Sequence, residues 1–150
     1  MRQVNTSTSE DNGIAIMGEK LFNVGVKAVI RRGDKLIIMR NTKGFWEVPG
    51  GRMDGDETIE ETLRRELNEE LPNIKNVKVH ELLDAVRLHK DIKENVSLVL
   101  IFYRVTASFE GEPQLSDEHD AYKWATRDEA LGIVYDKYRD AIKHAFEPHA

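Results

Sequence analysis

The run Val96–Val105, VSLVLIFYRV, constrains the fold more than any other stretch of the chain. It is dominated by Val, Leu, Ile, Phe and Tyr and leaves no polar face for water. It therefore predicts a β-strand buried on both faces. Such a strand needs a covering layer on each side, and the usual cover for a two-sided sheet is helix. Phe22–Ile30 and Lys35–Arg40 read as strands joined through the turn Arg31-Arg32-Gly33-Asp34 into a hairpin. Phe45–Val48, Val77–Leu83 and Ala121–Ala125 are further extended segments, and Phe109–His119 reads as a loop. Thr58–Leu71 predicts a helix. Thr58 and Glu61 form a capping box, Ile59, Leu63 and Leu67 make one apolar stripe, and Pro72 stops the helix. Val134, Tyr138, Ala141, Ile142, Ala145 and Phe146 have the spacing of a closing helix, in which Tyr135 and Tyr138 serve packing. The fold class is α/β (α+β), a mixed sheet between helices. A chain of 150 residues accommodates one domain, assigned to residues 14–150 behind a mobile polar tail, Met1–Gly13.

Composition excludes several function classes. There is no cysteine, hence no disulfide scaffold, Cys-based zinc site, iron–sulfur cluster or Cys nucleophile. The formal net charge of −5 argues against a duplex nucleic-acid binder, which needs a basic face. It leaves room for anionic substrates if a metal supplies positive charge. No apolar run is long enough for a membrane span, and the first residues lack the pattern of a secretory signal. A cytoplasmic location is the default expectation.

The chemistry concentrates in Gly51–Glu70, GRMDGDETIEETLRRELNEE. At about 100° per residue, Glu66, Glu69 and Glu70 fall within an arc of about 100° on one helix face. Three carboxylates there repel one another, and hard oxygen ligands in one patch suit Mg²⁺, Mn²⁺ or Ca²⁺ rather than zinc. Taken alone, such a helix reads as a solvated face laced by Glu–Arg pairs. The residues ahead of it change that balance.

Gly51, Glu57, Arg65-Glu66, Leu67 and Glu69-Glu70 stand at the spacing of the Nudix box, and the chain resembles the Nudix (MutT-like) hydrolases. Six specified residue types at fixed spacing arise by chance on the order of once in ten million start points. The lead-in Trp46-Glu47-Val48-Pro49-Gly50-Gly51 also looks like the family's. One departure stands out: the box's final Gly falls on Pro72 and its apolar partner on Asn73, with Ile74 placed to serve one residue later. The resemblance implies a Nudix-type α/β/α sandwich and hydrolysis of a nucleoside diphosphate linked to a further group. It implies Mg²⁺, or Mn²⁺ as substitute, bound by Glu66 and Glu70, with Glu69 ligating a further ion or acting as base. A backbone carbonyl at Gly50-Gly51 joins them. Arg65 is expected to pair with Glu57 and orient Glu66.

The family often adds a carboxylate from a later loop. Phe109-Glu110-Gly111-Glu112-Pro113 leads to Asp117, Glu118 and Asp120, of which Glu118 is the choice. Arg40, Phe45 and His119 are candidate substrate-binding residues. Each has a plainer reading, Arg40 and His119 as surface side chains, and Trp46 reads as core. ADP-ribose hydrolases of the family often carry a Pro about fifteen residues past the box, and here that region, Val86–Asp91, has none. The Tyr of diadenosine polyphosphate hydrolases and the coenzyme A and NADH signatures are also absent. The expected substrate is a small nucleotide, a nucleoside triphosphate cleaved to the monophosphate and pyrophosphate. A nucleotide sugar, another diphosphate or a non-catalytic nucleotide sensor are the alternatives. Many family members are dimers, so a homodimer is the candidate assembly.

Overall fold

The computed structural model describes residues 18–148, and the expected tail at residues 1–13 lies outside the described residues. In chain order the elements are β1 (Leu21–Arg32), β2 (Lys35–Asn41), β3 (Trp46–Glu47), β4 (Gly50–Arg52), α1 (Ile59–Glu70), β5 (Ile74–Lys93), β6 (Val96–Phe109), β7 (His119–Thr126), α2 (Arg127–Ile133) and α3 (Arg139–Ala145). The strands run β3-β2-β1-β6-β5, with β4 also pairing β1 and β7 pairing β2. β1 and β6 are parallel, in register from Leu21 opposite Val96 to Ile30 opposite Val105. The other strand pairings are antiparallel, so the sheet is mixed.

The central strands separate two cores by their alternation. Val26, Ala28, Ile30, Ile37 and Met39 pack with Leu63, Leu67 and Leu71 of the α1 segment. Val29, Leu36 and Ile38 face the other way, onto Ala130, Ala141, Ile142 and Ala145 of α2 and α3. β6 serves both cores: Leu100 and Phe102 join the α2–α3 side, and Val105, with Ile101 and Tyr103, the α1 side. This is the two-sided strand its composition predicts, and the architecture is an α/β/α sandwich.

α1 forms as its sequence dictates. Thr58 accepts from the Glu61 N–H at 3.1 Å, and the Glu61 carboxylate accepts from the Thr58 N–H at 2.9 Å, closing the capping box. Leu63 and Leu67 are fully buried, but Ile59, at the first turn, is 37% exposed, so the stripe runs from Leu63 towards Leu71 instead.

Three further expectations are corrected. The closing helix is broken: Val134 and Tyr135 are extended (ψ 162° and 140°), and Val134 bridges Trp46 in β3. Val134, Tyr138, Ala141, Ile142 and Ala145 do share one core, so the spacing reports burial without a continuous helix. The overlooked signal is a second capping box, Thr126 with Glu129, which starts α2 as a separate element. Tyr135 is half exposed, its ring edge-on to that of buried Tyr138. Finally, β5 extends far beyond Val77–Leu83. Its charged outer positions suit a bulged strand at the sheet margin, where water solvates one side.

Candidate active site

The site is built where β4 crosses β1 beneath the C-terminal end of α1. Lys27 stands opposite Gly50 and Val26 opposite Gly51, and the Ala28 N–H donates to the Pro49 carbonyl at 2.8 Å. Gly50 has φ +142°, and a Cβ there would meet the Lys27 backbone at 2.7 Å, so only glycine fits. A Cβ on Gly51 would fall on the Glu66 carboxylate. Gly50 thus lets the turn lie against β1, and Gly51 lets it approach α1 closely enough for its backbone to join the carboxylates. Glu70 already uses this approach: its Oε1 accepts from the Gly50 N–H at 2.9 Å.

Arg65 organises the exposed side. Its Nε and Nη2 donate to the two oxygens of Glu57 at 2.5 and 2.9 Å, and Nη2 also reaches the Arg52 carbonyl at 3.1 Å. Nη1 donates to Glu66 at 2.9 Å and lies 3.5 Å from Glu69. The fork holds the Glu57 carboxyl down to about 2, and the same hydrogen bonds raise the pKa of Arg65.

Glu70 is in the opposite condition. It is 5% exposed, and burial pushes its carboxyl up to about 7, against the pull of Lys27 and the Gly50 N–H. Lys27 is itself buried. Its Nζ donates to the Val48 carbonyl at 3.3 Å and lies 3.7 Å from Glu47. Burial lowers the pKa of Lys27, but Tyr138, Glu47 and Glu70 outweigh it and the net shift is upward. Glu47 accepts from His119 Nε2 at 2.7 Å. Burial opposes both charges of that pair, yet their contact leaves the Glu47 pKa lowered and the His119 pKa raised.

The structure therefore brings Gly50, Gly51, Glu57, Arg65, Glu66, Glu69 and Glu70 together. It does not bring Glu118 to them: that side chain is exposed on its loop, although the loop docks on α1 through Ser116 N–H to Glu70 carbonyl at 3.2 Å. Arg40 sits at the rim, paired with Asp120 at 2.7 Å and facing the Trp46 ring at 5.9 Å. His119, expected at the surface, is buried with a 2% exposed side chain, because Glu47 draws the imidazole inward. Phe45 is 67% exposed and, with Trp46 and Tyr135, lines a recess of about 710 Å³. An inner recess of about 340 Å³, lined by Lys27, Glu47 and Gly51, adjoins it through Glu47, Leu88, Ile92, Tyr135 and Tyr138.

Sequence reasoning missed Lys27, Glu47 and Asn73. Lys27 carried a signal, a lone charge inside an apolar strand, and Glu47 stands between Trp46 and Val48 in the same way. Asn73 accounts for the motif's departure. Its Nδ2 donates to the Glu110 and Glu112 carbonyls at 3.0 and 2.8 Å, and its Oδ1 accepts from the Gln114 N–H at 2.9 Å. It staples the acidic loop to the end of α1, and Ile74, 6% exposed, supplies the apolar contact.

The donor set suits a hard divalent cation: carboxylates, a glycine turn shaped to admit a carboxylate, and no soft ligand. Among the described residues no three His, Asp or Glu side chains stand close enough to hold a metal by themselves. The fit thus requires a backbone oxygen of the Gly50–Gly51 turn beside Glu66 and Glu70.

The comparisons with known proteins agree with this geometry. A family model described as a NUDIX domain matches residues 21–146. A putative 8-oxo-dGTP diphosphatase 2 of Mycobacterium tuberculosis is 34% identical over 111 residues, 71% of this chain and 74% of that protein. A MutT-like protein of Streptomyces ambofaciens is 36% identical over 134 residues, 86% of this chain and 82% of that one. Among solved structures, the E. coli ORF135 protein superimposes with a TM-score of 0.71 at 26% identity, over 87% of this chain and 92% of its own. The family match, spanning both cores and the glycine–carboxylate site, makes this chain a member of the Nudix hydrolases and an enzyme of the pyrophosphohydrolase class.

Proposed function

We propose that the protein hydrolyses nucleoside triphosphates to the monophosphate and pyrophosphate with Mg²⁺, or Mn²⁺ in its place, bound at the end of α1. The observation that carries this reading is the convergence of Glu66 and Glu70 on the Gly50–Gly51 turn, next to the inner recess. Glu66 and Glu70 hold the cation with a carbonyl of that turn. A divalent cation held there would supply the positive charge that phosphate oxygens and an attacking water need in such a hydrolysis. Glu69, whose side chain is 57% exposed, is the carboxylate free to ligate a second ion or take a proton. Arg65, anchored on Glu57, holds Glu66 in place.

The adjoining recess takes the nucleoside, with Phe45 stacking on the base, and Arg40, held between Asp120 and the Trp46 ring that lines the recess, is the candidate cation for the phosphates. The diphosphatase name of the mycobacterial relative supports a triphosphate, oxidised forms included. Glu118 is the further carboxylate of the docked acidic loop and reaches the substrate if that loop closes.

The test is incubation with Mg²⁺ and separate nucleoside triphosphates, 8-oxo-dGTP, ADP-ribose, nucleotide sugars and dinucleoside polyphosphates, with products resolved by chromatography. Monophosphate and pyrophosphate from the triphosphates, abolished by EDTA, are expected. Cleavage confined to ADP-ribose or nucleotide sugars would overturn the substrate assignment.

A further inference from the structure

Beside the Gly50–Gly51 turn lies a line of polar side chains, buried Lys27 and His119 joined through half-buried Glu47, to which the reaction above gives no role. His119, from β7, donates from Nε2 to Glu47 Oε2 at 2.7 Å with its side chain 2% exposed. Glu47, from β3, places Oε1 3.7 Å from Lys27 Nζ, and Lys27, from β1, is 8% exposed. Three separate strands thus contribute one cation, one carboxylate and one imidazole. Burying such groups is costly, and apolar side chains of similar size fill the same space at less cost. Packing alone does not account for them.

Their contacts point to the turn. Lys27 Nζ donates to the Val48 carbonyl at 3.3 Å, and Val48 immediately precedes Pro49-Gly50-Gly51. Lys27 is also the register partner of Gly50, whose N–H holds Glu70. Glu47, clamped between His119 and Lys27, fixes the chain entering the turn from the other side. The charges of Lys27, His119 and Glu47 all act on the Glu70 carboxyl, the first two stabilising its ionised form. His119 Nδ1 is buried without a hydrogen-bond partner, so Glu47 alone orients the ring.

We infer that Lys27, Glu47 and His119 are positioning residues, a hydrogen-bonded and ion-paired line that holds the Gly50–Gly51 turn and Glu70 in the arrangement that accepts a divalent cation. This rests on the metal site proposed above. Groups that orient metal ligands change metal affinity or activity by roughly 10–100-fold when removed.

The experiment titrates Mn²⁺ into the full chain without nucleotide, reading free Mn²⁺ by electron paramagnetic resonance, and then measures kcat and KM. His119→Leu keeps the volume and loses the donor. His119→Gln returns an N–H near the position of Nε2. Glu47→Gln removes the charge with little change of shape. His119→Leu and Glu47→Gln are expected to weaken Mn²⁺ binding by about 10–100-fold. At saturating Mn²⁺ the loss is expected in kcat, with KM for the nucleotide within about threefold of the parent. His119→Gln is expected to recover most of the Mn²⁺ affinity.

Parent-like Mn²⁺ binding by His119→Leu and Glu47→Gln overturns the inference, as does equal loss in His119→Leu and His119→Gln. If circular dichroism shows His119→Leu unfolded, Glu47→Gln decides. A parent that binds Mn²⁺ but cleaves no nucleotide overturns the substrate reading only, and the Mn²⁺ comparison still decides this inference. A parent that binds no Mn²⁺ overturns the metal site and the inference together.

Discussion

The two ends of α1 carry the same kind of side chain in opposite electrostatic states. At the N-terminal end Glu57, Glu60 and Glu61 each have a partner. Glu61 closes the capping box on Thr58, Glu57 receives the Arg65 fork, and the first turn's Glu60 and Glu61 sit where the helix dipole favours negative charge. At the C-terminal end the logic is inverted. Glu69 and Glu70 stand at the negative pole of the helix, the last turn has no basic residue, and Glu70 is buried. One end is closely paired by the protein's own groups; at the other, Glu69 keeps only a 3.5 Å contact with Arg65, and Glu70, despite the pull of Lys27 and His119, is held well above the ordinary carboxyl range by burial. Natural chains retain such frustration at functional sites, and here it coincides with the end of α1 where the cation is proposed to bind.

Removing the buried Glu70 charge has the largest expected effect. Glu70→Gln keeps the side-chain shape and the acceptor for the Gly50 N–H, yet deletes a proposed metal ligand. Metal-assisted stabilisation of the transition state is worth several kcal/mol, so turnover is expected to fall on the order of a thousandfold. Steady-state hydrolysis at saturating Mg²⁺ checks this, and near-parent turnover would break the contrast between the helix ends.

That contrast was only half legible in the sequence. The compensated end is local: Thr58, Glu61, the Leu63–Leu67 stripe and Pro72 all lie within one segment, and each rule reads out directly. The carboxylate spacing was equally plain, and so was the sandwich, announced by the apolar β6. Other features depended on partners far along the chain. His119 is buried because Glu47, 72 residues away, binds it. Val134 is extended because it pairs with Trp46, although its spacing suits a helix. β5 carries charges on its outward positions, so periodicity exposed only its middle. Glu70 gave no sign of burial, since a glutamate in an acidic run reads as solvated until the glycine turn folds over it.

The pH dependence of the metal-free protein separates the two ends next. Glu70, raised to about 7 from 4.5, contributes stability that is complete below about pH 4.5 and is lost as the pH rises through 7. Glu57, lowered to about 2, contributes stability that is complete above about pH 4.5 and is lost as the pH falls through 2. In EDTA, the melting temperature of the parent is therefore expected to decline from pH 5 to pH 8.5. Glu70→Gln should make that decline shallower, leaving the part that His119, whose pKa is also raised, loses as it deprotonates, and should leave the acid side unchanged; Glu57→Gln should do the reverse. For buried Glu70 the alkaline term is on the order of 3 kcal/mol. A decline undiminished in Glu70→Gln would assign it to His119 and other groups instead.

The smallest effect belongs to the cap itself. Thr58→Ala removes the oxygen that accepts from the Glu61 N–H, and such a loss costs about 1 kcal/mol. Thr58 makes no contact with the Gly50–Gly51 turn, so urea unfolding should record the loss while kcat stays at the parent value. The two ends of one helix then respond with opposite signs. The N-terminal substitution lowers stability and spares turnover. Glu70→Gln, above pH 7 and without metal, raises stability and abolishes turnover, as expected where a charge is kept for chemistry at the expense of the fold. If Thr58→Ala instead lowered kcat in proportion to its stability, the helix would transmit strain between its ends, and they could not be treated as separate regions.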